Sequence, residues 1–323
     1  MRVLVTGAGG FIGRHVCTLL SNAGYRVRGA GRALRPGVGL AETMDWVRMP
    51  VLDATSHWAA ALQGIDAVVH LAGRAHVLRD RASEPLAEYR RVNVAGTEAL
   101  ARQAAQRGVR RIVFMSSIKV NGERTGRSAE GGWQKFTDRD LPCPEDAYGT
   151  SKWEAEKVLA GMATETGLQV TVLRPPLVYG PGVGANFLRL MHAIERGWPL
   201  PFGAVDNLRS LIYVENLADA VLRCLRESAS AGRTYTISDM DVSTPGLIIA
   251  IARAMGRKPK LFRCSPVLLR SCGRVIGQRD TMQRLLDSLV VDSSAFRREL
   301  QWTPRYSNDE GLSRTVNWFL SAS

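Results

Sequence analysis

Tyr148 and Lys152, in AYGTSKWEAE, stand four residues apart in a segment of helical periodicity and therefore share one helix face. An ammonium beside a phenol favours the phenolate and lowers a pKa that is otherwise about 10. Tyrosine then becomes an acid or base usable near neutrality. Alone, the pattern is also that of an ordinary surface pair. Ser117, in FMSSIKVNG, changes its meaning. It lies just past a strand-like run that should end at the same edge of a sheet, with a hydroxyl able to hold a carbonyl or alkoxide oxygen. A serine hydroxyl, a tuned tyrosine and a lysine beside a nicotinamide form a hydride-transfer site.

The partner for such a site is encoded at the other end of the chain. VLVTGAGGFIGRH places Gly7, Gly10 and Gly13 between an apolar strand and an amphipathic helix. Gly7 permits the tight turn, Gly10 lets the backbone approach a pyrophosphate, and Gly13 lets helix and strand pack closely. The helix N-terminus at Phe11 and Ile12 offers free N–H groups to the anion. Further along, Asp53 is placed to accept from an adenine amino group, and Leu71, Ala72 and Gly73 (HLAG) follow a buried strand where small residues admit the nicotinamide side. Asn93 sits mid-helix, where asparagine is a poor helix former. Local capping is the competing account of Asp53 and Asn93. The five cysteines form no C-x-x-C pair, and no cluster of metal ligands is expected.

The elements that must position these residues alternate. RVLVT, YRVRGA, DAVVHLA, RRIVFMSS and LQVTVLRPP read as strands, and FIGRHVCTLLSNAG, PLAEYRRVNVAGTEALARQAAQRG and EDAYGTSKWEAEKVLAGMATETG read as helices. That alternation predicts an α/β fold, a Rossmann-type doubly wound parallel sheet with a smaller, discontinuous C-terminal substrate lobe. Residues 1–174 plus roughly 209–232 are expected to form the dinucleotide domain, and 175–208 with 233–323 the lobe. No run is long enough to insert in a membrane, and the start of the chain carries no signal pattern, so a cytoplasmic location is expected. The net charge of +13 is carried almost wholly by arginine and reads as spread along the chain, without a basic run interleaved with aromatics. A nucleic-acid partner is therefore not expected; an anionic small substrate explains the charge.

Taken together, the glycine turn, HLAG, SSIKVNG, YGTSK and LRPPLVYGPG resemble the extended short-chain dehydrogenase/reductases, and within them the nucleotide-sugar epimerase/dehydratase group. The resemblance implies Tyr148 as acid/base, Ser117 as partner to the sugar 4-oxygen, and Lys152 bound to the nicotinamide ribose. It also places Pro175 at the cofactor, and Asn186, Arg209 and, more loosely, Arg284 against the diphosphate of a nucleotide-activated sugar such as a UDP-sugar. Homodimers are common in that family, here through the 84–107 and 145–163 helices.

Two positions bear on the reaction. Dehydratases of the group carry adjacent Asp-Glu where this chain has Ile118-Lys119, so dehydration is not expected. After the second strand, an aspartate that would grip the ribose hydroxyls of NAD is replaced by Gly31, followed by Arg32. That exchange suits the 2′-phosphate of NADP(H), with Arg28 and Arg35 as possible helpers, although NAD(H) and solvated arginines remain alternatives. The chain-wide wording resembles bacterial O-antigen enzymes that reduce UDP-4-keto-6-deoxy-N-acetylhexosamines. A 4-epimerase with tightly held NAD is the second expectation, and a non-catalytic dinucleotide sensor the third.

Overall fold

The computed structural model describes residues 1–33, 44–49, 51–75, 84–275, 277 and 279–322. Ten strands are β1 (Arg2–Thr6), β2 (Arg26–Gly31), β3 (Asp45–Arg48), β4 (Ala67–His70), β5 (Arg111–Met115), β6 (Gln169–Arg174), β7 (Leu177–Tyr179), β8 (Arg209–Tyr213), β9 (Thr234–Thr236) and β10 (Met240–Val242). Seven of them form one parallel sheet in the order β3-β2-β1-β4-β5-β6-β9. The order turns back between β1 and β4, which opens a crevice at the carboxyl ends of those strands.

Alternation along the strands divides the core into two layers. Val3, Val5, Val69 and Val113 face one side with Val16 and Leu20 of the Phe11–Asn22 helix and Leu217 and Val221 of the Val214–Arg226 helix. Leu4, Val68, Ile112 and Phe114 face the other, against Leu100 of the Gly96–Gln106 helix and Leu159 of the Ala147–Thr166 helix. Each such side chain, fully buried, contributes roughly 1.5–3 kcal/mol. Both faces are covered, and this is why β4 is buried at every position.

The five expected strands and three expected helices are all present. The middle helix carries a π-helical turn, Arg90–Ala95, ahead of Gly96–Gln106. β3 was not anticipated, because DWVR is short and shows no apolar alternation. The lobe has its own core around Tyr179, Phe187, Met191, Ile248, Ile251 and Phe319. Its three-stranded sheet, β10-β8-β7, corrects the expected boundaries. β8, expected in the dinucleotide domain, pairs with β7 and β10, whereas β9, expected in the lobe, pairs with β6 and closes the large sheet. The physical reason is that the chain crosses between the two sheets twice within about thirty residues, and strand periodicity does not name the partner.

Candidate active site

The candidate side chains Ser117, Tyr148 and Lys152 converge from the carboxyl end of β5 and the start of the Ala147–Thr166 helix. Asp146 caps that helix, its Oδ1 accepting from Gly149 N at 2.6 Å. This cap fixes the first turn and so points Tyr148 at the sheet edge. Ser117 in turn caps the short 3₁₀ turn Ile118–Val120, with Ile118 N bonded to Pro175 O at 3.0 Å. The Tyr148 phenol is hydrogen-bonded to the Ser117 hydroxyl, and the ring meets Tyr89 edge-on at 6.0 Å. Lys152, one turn on, is buried; its ammonium donates to Met115 O at 2.9 Å and lies 4.6 Å over the Phe114 ring.

The electrostatics of this trio differ from the expectation that the ammonium would lower the phenol's pKa. The phenol is pushed up, first by burial and then by the carboxylate of Asp146; only its bond to Ser117 acts the other way. Lys152 is itself lowered to about 8 by burial, partly offset by Glu156. Its ammonium is committed to the Met115 carbonyl rather than to the phenol, and the cost of an anion in this dry site prevails. The Tyr148 phenol is thus protonated at neutral pH.

Under the trio lies a polar network that sequence reading missed. Arg174 and Glu156, both about 4 % exposed in their side chains, form a bidentate pair with bonds of 2.5 and 3.0 Å. Ser116 donates to the same carboxylate, and Arg174 also donates to Asn121 at 3.1 Å. Glu156 follows Lys152 by one further helical turn, a spacing signal that was legible, but its partner is not adjacent in sequence. His70 is a second buried tie: its ring bridges Thr6 at 2.7 Å and Thr97 at 2.9 Å. Burial, reinforced by Lys152, depresses its pKa to about 3, so it is neutral.

The glycine turn fits a dinucleotide. Gly7 has φ +67°, and a Cβ there would lie 2.9 Å from Ala72 N; one at Gly13 would lie 2.2 Å from Gly7 O. Gly10 caps the Phe11–Asn22 helix with no side-chain bond, so the first-turn amides of Phe11 and Ile12 remain for an anion. The Thr6 hydroxyl accepts from Leu71 N and Ala72 N at 3.2 and 3.1 Å, holding HLAG beside the turn. A Cβ at Gly73 would come 3.5 Å from the Lys152 ammonium, so this glycine borders the catalytic trio. Asn93, fully buried, accepts from Arg74 N at 2.7 Å and donates to Arg74 O and Ser151 Oγ, fastening that segment to the catalytic helix. Asp53 is used locally, Oδ1 accepting from Thr55 and Oδ2 from Arg91.

At the end of β2 the missing acid has a steric counterpart. The Trp46 indole of β3 lies over Gly29 and Gly31, where a Cβ at either would fall 2.8 Å or less from Met44 or the ring. The same ring reaches the phosphate turn: its Cη2 lies 3.6 Å from a Cβ built on Gly9, while Nε1 donates to Ala33 O at 3.0 Å. Arg32 is exposed beside it. Arg28 is no cofactor candidate, for it is tied to Asp45 at 2.6 Å and to the carbonyls of Ala60, Ala61 and Gln63. Arg35 lies outside the described residues.

Next to the trio is a hollow of about 360 Å³ lined by Lys119, Glu123, Arg124, Glu145, Asp146, Arg209, Gln283 and Arg284. Arg209 and Arg284, expected to act together, do meet here; burial and the neighbouring Arg284 lower Arg209 to about 10. Arg209 donates to Asp287 O at 3.0 Å. Lys119 is clamped by Glu123 and Asp146, the latter at 2.6 Å. Asn186 is not part of this hollow; its Oδ1 accepts from Arg189 at 2.6 Å. Among the described residues, no group of three or more His, Cys, Asp or Glu could hold a metal.

A doubly wound sheet with a phosphate turn and a Ser-Tyr-Lys trio at its switch point is the arrangement of a dinucleotide-binding enzyme. More narrowly, residues 3–238 match the NAD dependent epimerase/dehydratase family, and the chain belongs to it, within the extended short-chain dehydrogenase/reductases. It is 39% identical to a UDP-glucose 4-epimerase of Vibrio cholerae, over 99% of this chain and 96% of that protein. Identity to a UDP-glucose 4-epimerase of Mycolicibacterium smegmatis is 30% over the full length of both. Among solved structures, MoeE5 in complex with UDP-glucuronic acid and NAD is similar, with a TM-score of 0.77, 28% identity and both chains covered completely.

Proposed function

We propose that the protein transfers hydride at C4 of a nucleotide-diphosphate sugar, in the direction that reduces a 4-keto sugar with NADPH. The observation that carries this reading is the adjacency of two sites through one residue. Asp146 caps the helix that aims Tyr148 and also lines the arginine hollow, so a sugar lying over Tyr148 would have its diphosphate at Arg209 and Arg284. Paired guanidinium forks suit diphosphate oxygens.

Gly73 and Lys152 border the crevice that would hold a nicotinamide, and such a cofactor would supply the hydride. Ser117 Oγ holds the C4 oxygen, and the protonated Tyr148 gives that oxygen its proton as the C4–H bond forms. Lys152 lies one turn away and meets the negative charge left on the phenolate. With Gly31 beneath Trp46 and Arg32 exposed, the end of β2 itself carries no carboxylate to repel a 2′-phosphate. Lys119 occupies the place where dehydratases carry an acid, which argues against dehydration. We further take the protein to be a cytoplasmic homodimer.

A 4-epimerase is the second reading, favoured by the Vibrio cholerae relative. One experiment separates them. The purified protein is given NADPH with and without a UDP-4-keto-6-deoxy-N-acetylhexosamine, and separately UDP-glucose or UDP-N-acetylglucosamine with no added nucleotide. Keto-sugar-dependent loss of NADPH absorbance is expected, with an Arg32→Ala variant weakening NADPH binding about tenfold and leaving NADH binding unchanged. Interconversion of the UDP-sugars by protein that already carries NAD would instead establish the epimerase.

A further inference from the structure

Between Asp241 and Asp280 the chain has eight arginines or lysines and no aspartate or glutamate. The positive charge that reads as evenly spread is therefore concentrated, this one stretch supplying eight of the net +13. It comprises the Thr244–Ala254 and Pro266–Val275 helices and the turn between them. Arg257, Lys258, Lys260, Arg263 and Arg274 are all exposed, while Arg270 is tied to Asp287 at 2.6 Å.

The same stretch is also unusually apolar on its outside. Of the eleven exposed large hydrophobic side chains among the described residues, it holds five: Ile249, Phe262, Val267, Leu268 and Val275. Val267, Leu268 and Val275 are 70, 60 and 87 % exposed. At about 100° per residue they fall, with exposed Cys272, on one outward arc of the Pro266–Val275 helix. Leu269 and Gly273 face inward, and Arg270 and Arg274 stand along the edge of the arc. The half-exposed Trp198 lies on the segment paired to Phe262, through Leu200 N to Lys260 O at 2.8 Å and Phe262 N to Leu200 O at 3.1 Å.

We propose that this face docks the protein on an anionic bilayer surface. The aliphatic arc enters at headgroup level, and the surrounding cations meet lipid phosphates. No described helix is long and apolar enough to cross a membrane, so the contact is peripheral. Charge decides between occupants. A second copy on the same face would set the exposed Arg253, Arg257, Lys258, Lys260, Arg263 and Arg274 against their own counterparts, and a nucleic acid would leave Val267, Leu268 and Val275 unused. A basic cleft lined by Arg124, Arg270, Arg274 and Gln283 shares Arg124 and Gln283 with the arginine hollow, so the docked face adjoins the mouth of the active site. The inference is independent of the reaction proposed above.

Flotation of the full-length protein tests it, using vesicles of equal parts phosphatidylethanolamine and phosphatidylglycerol against vesicles of phosphatidylcholine alone. The protein should float with the first and not the second, and less as salt rises. A Leu268→Asp/Val275→Asp variant alters two exposed positions, and an unchanged melting temperature would show that it folds. It should lose at least about tenfold in the floated fraction. Wild-type protein that stays at the bottom with phosphatidylglycerol, or a folded variant that floats equally, would overturn the proposal. So would a dimer that the variant dissociates in the absence of lipid.

Discussion

Tyr148 shows how burial and charge compete at a single atom. Its hydroxyl is bonded to Ser117, yet burial and the Asp146 carboxylate raise its pKa, so the phenol stays protonated at neutral pH. Tyr148→Phe keeps the ring, and with it the edge contact to Tyr89, and removes the hydroxyl with its bond to Ser117. Turnover should fall by about 10²–10⁴-fold with dinucleotide affinity unchanged, read by steady-state rates alongside a fluorescence titration of bound nucleotide. A variant with near-normal rates would remove Tyr148 from the chemistry. The type and spacing of Tyr148, Lys152 and Ser117 were legible because helical and strand periodicity puts them at one edge. The direction of the phenol's shift was not, since it is set by how much surrounding protein excludes water.

At the scale of elements, the catalytic helix is held to the sheet by a charge pair that the trio conceals. Glu156 on the helix and Arg174 at the end of β6 exchange two hydrogen bonds out of contact with solvent, and Ser116 joins from the end of β5. Removing one member leaves the other charge buried and unpaired. Glu156→Ala should therefore cost about 3–5 kcal/mol of stability. Glu156→Met/Arg174→Met should recover much of that loss, and denaturant melts of the three proteins would measure it. Equal stability of Glu156→Ala and wild type would mean that the pair does not fasten the helix. At the other end of the sheet, Trp46 plays a comparable part, since it closes the space above Gly29 and Gly31 that a side chain would need. The glycine was visible in the sequence; the indole that requires it arrives from a strand the sequence did not announce.

Over the whole molecule, the proposed function depends on two separately built sheets meeting at one crevice. The large sheet supplies the glycine turn and the trio, and the lobe supplies Arg209 on β8 and Arg284 on the Arg279–Leu286 helix. Arg284→Ala should raise KM for a nucleotide-diphosphate sugar about tenfold with a smaller change in kcat, because it removes binding that ground and transition states share. Unchanged KM would place the diphosphate elsewhere.

The sequence by itself determined the doubly wound fold, the phosphate turn and the spacing that brings Ser117, Tyr148 and Lys152 to one edge. Each is written in local periodicity and in glycines whose backbone roles permit no Cβ, and such signals act within a few residues of chain. Only the tertiary structure decided the rest. It exchanged β8 and β9 between the sheets, seated Trp46 over Gly31, joined Glu156 to Arg174, brought Arg209 beside Arg284, and left Val267, Leu268 and Val275 exposed on one helix. Those outcomes depend on which distant segments are buried together, and burial sets both the available space and the cost of a charge.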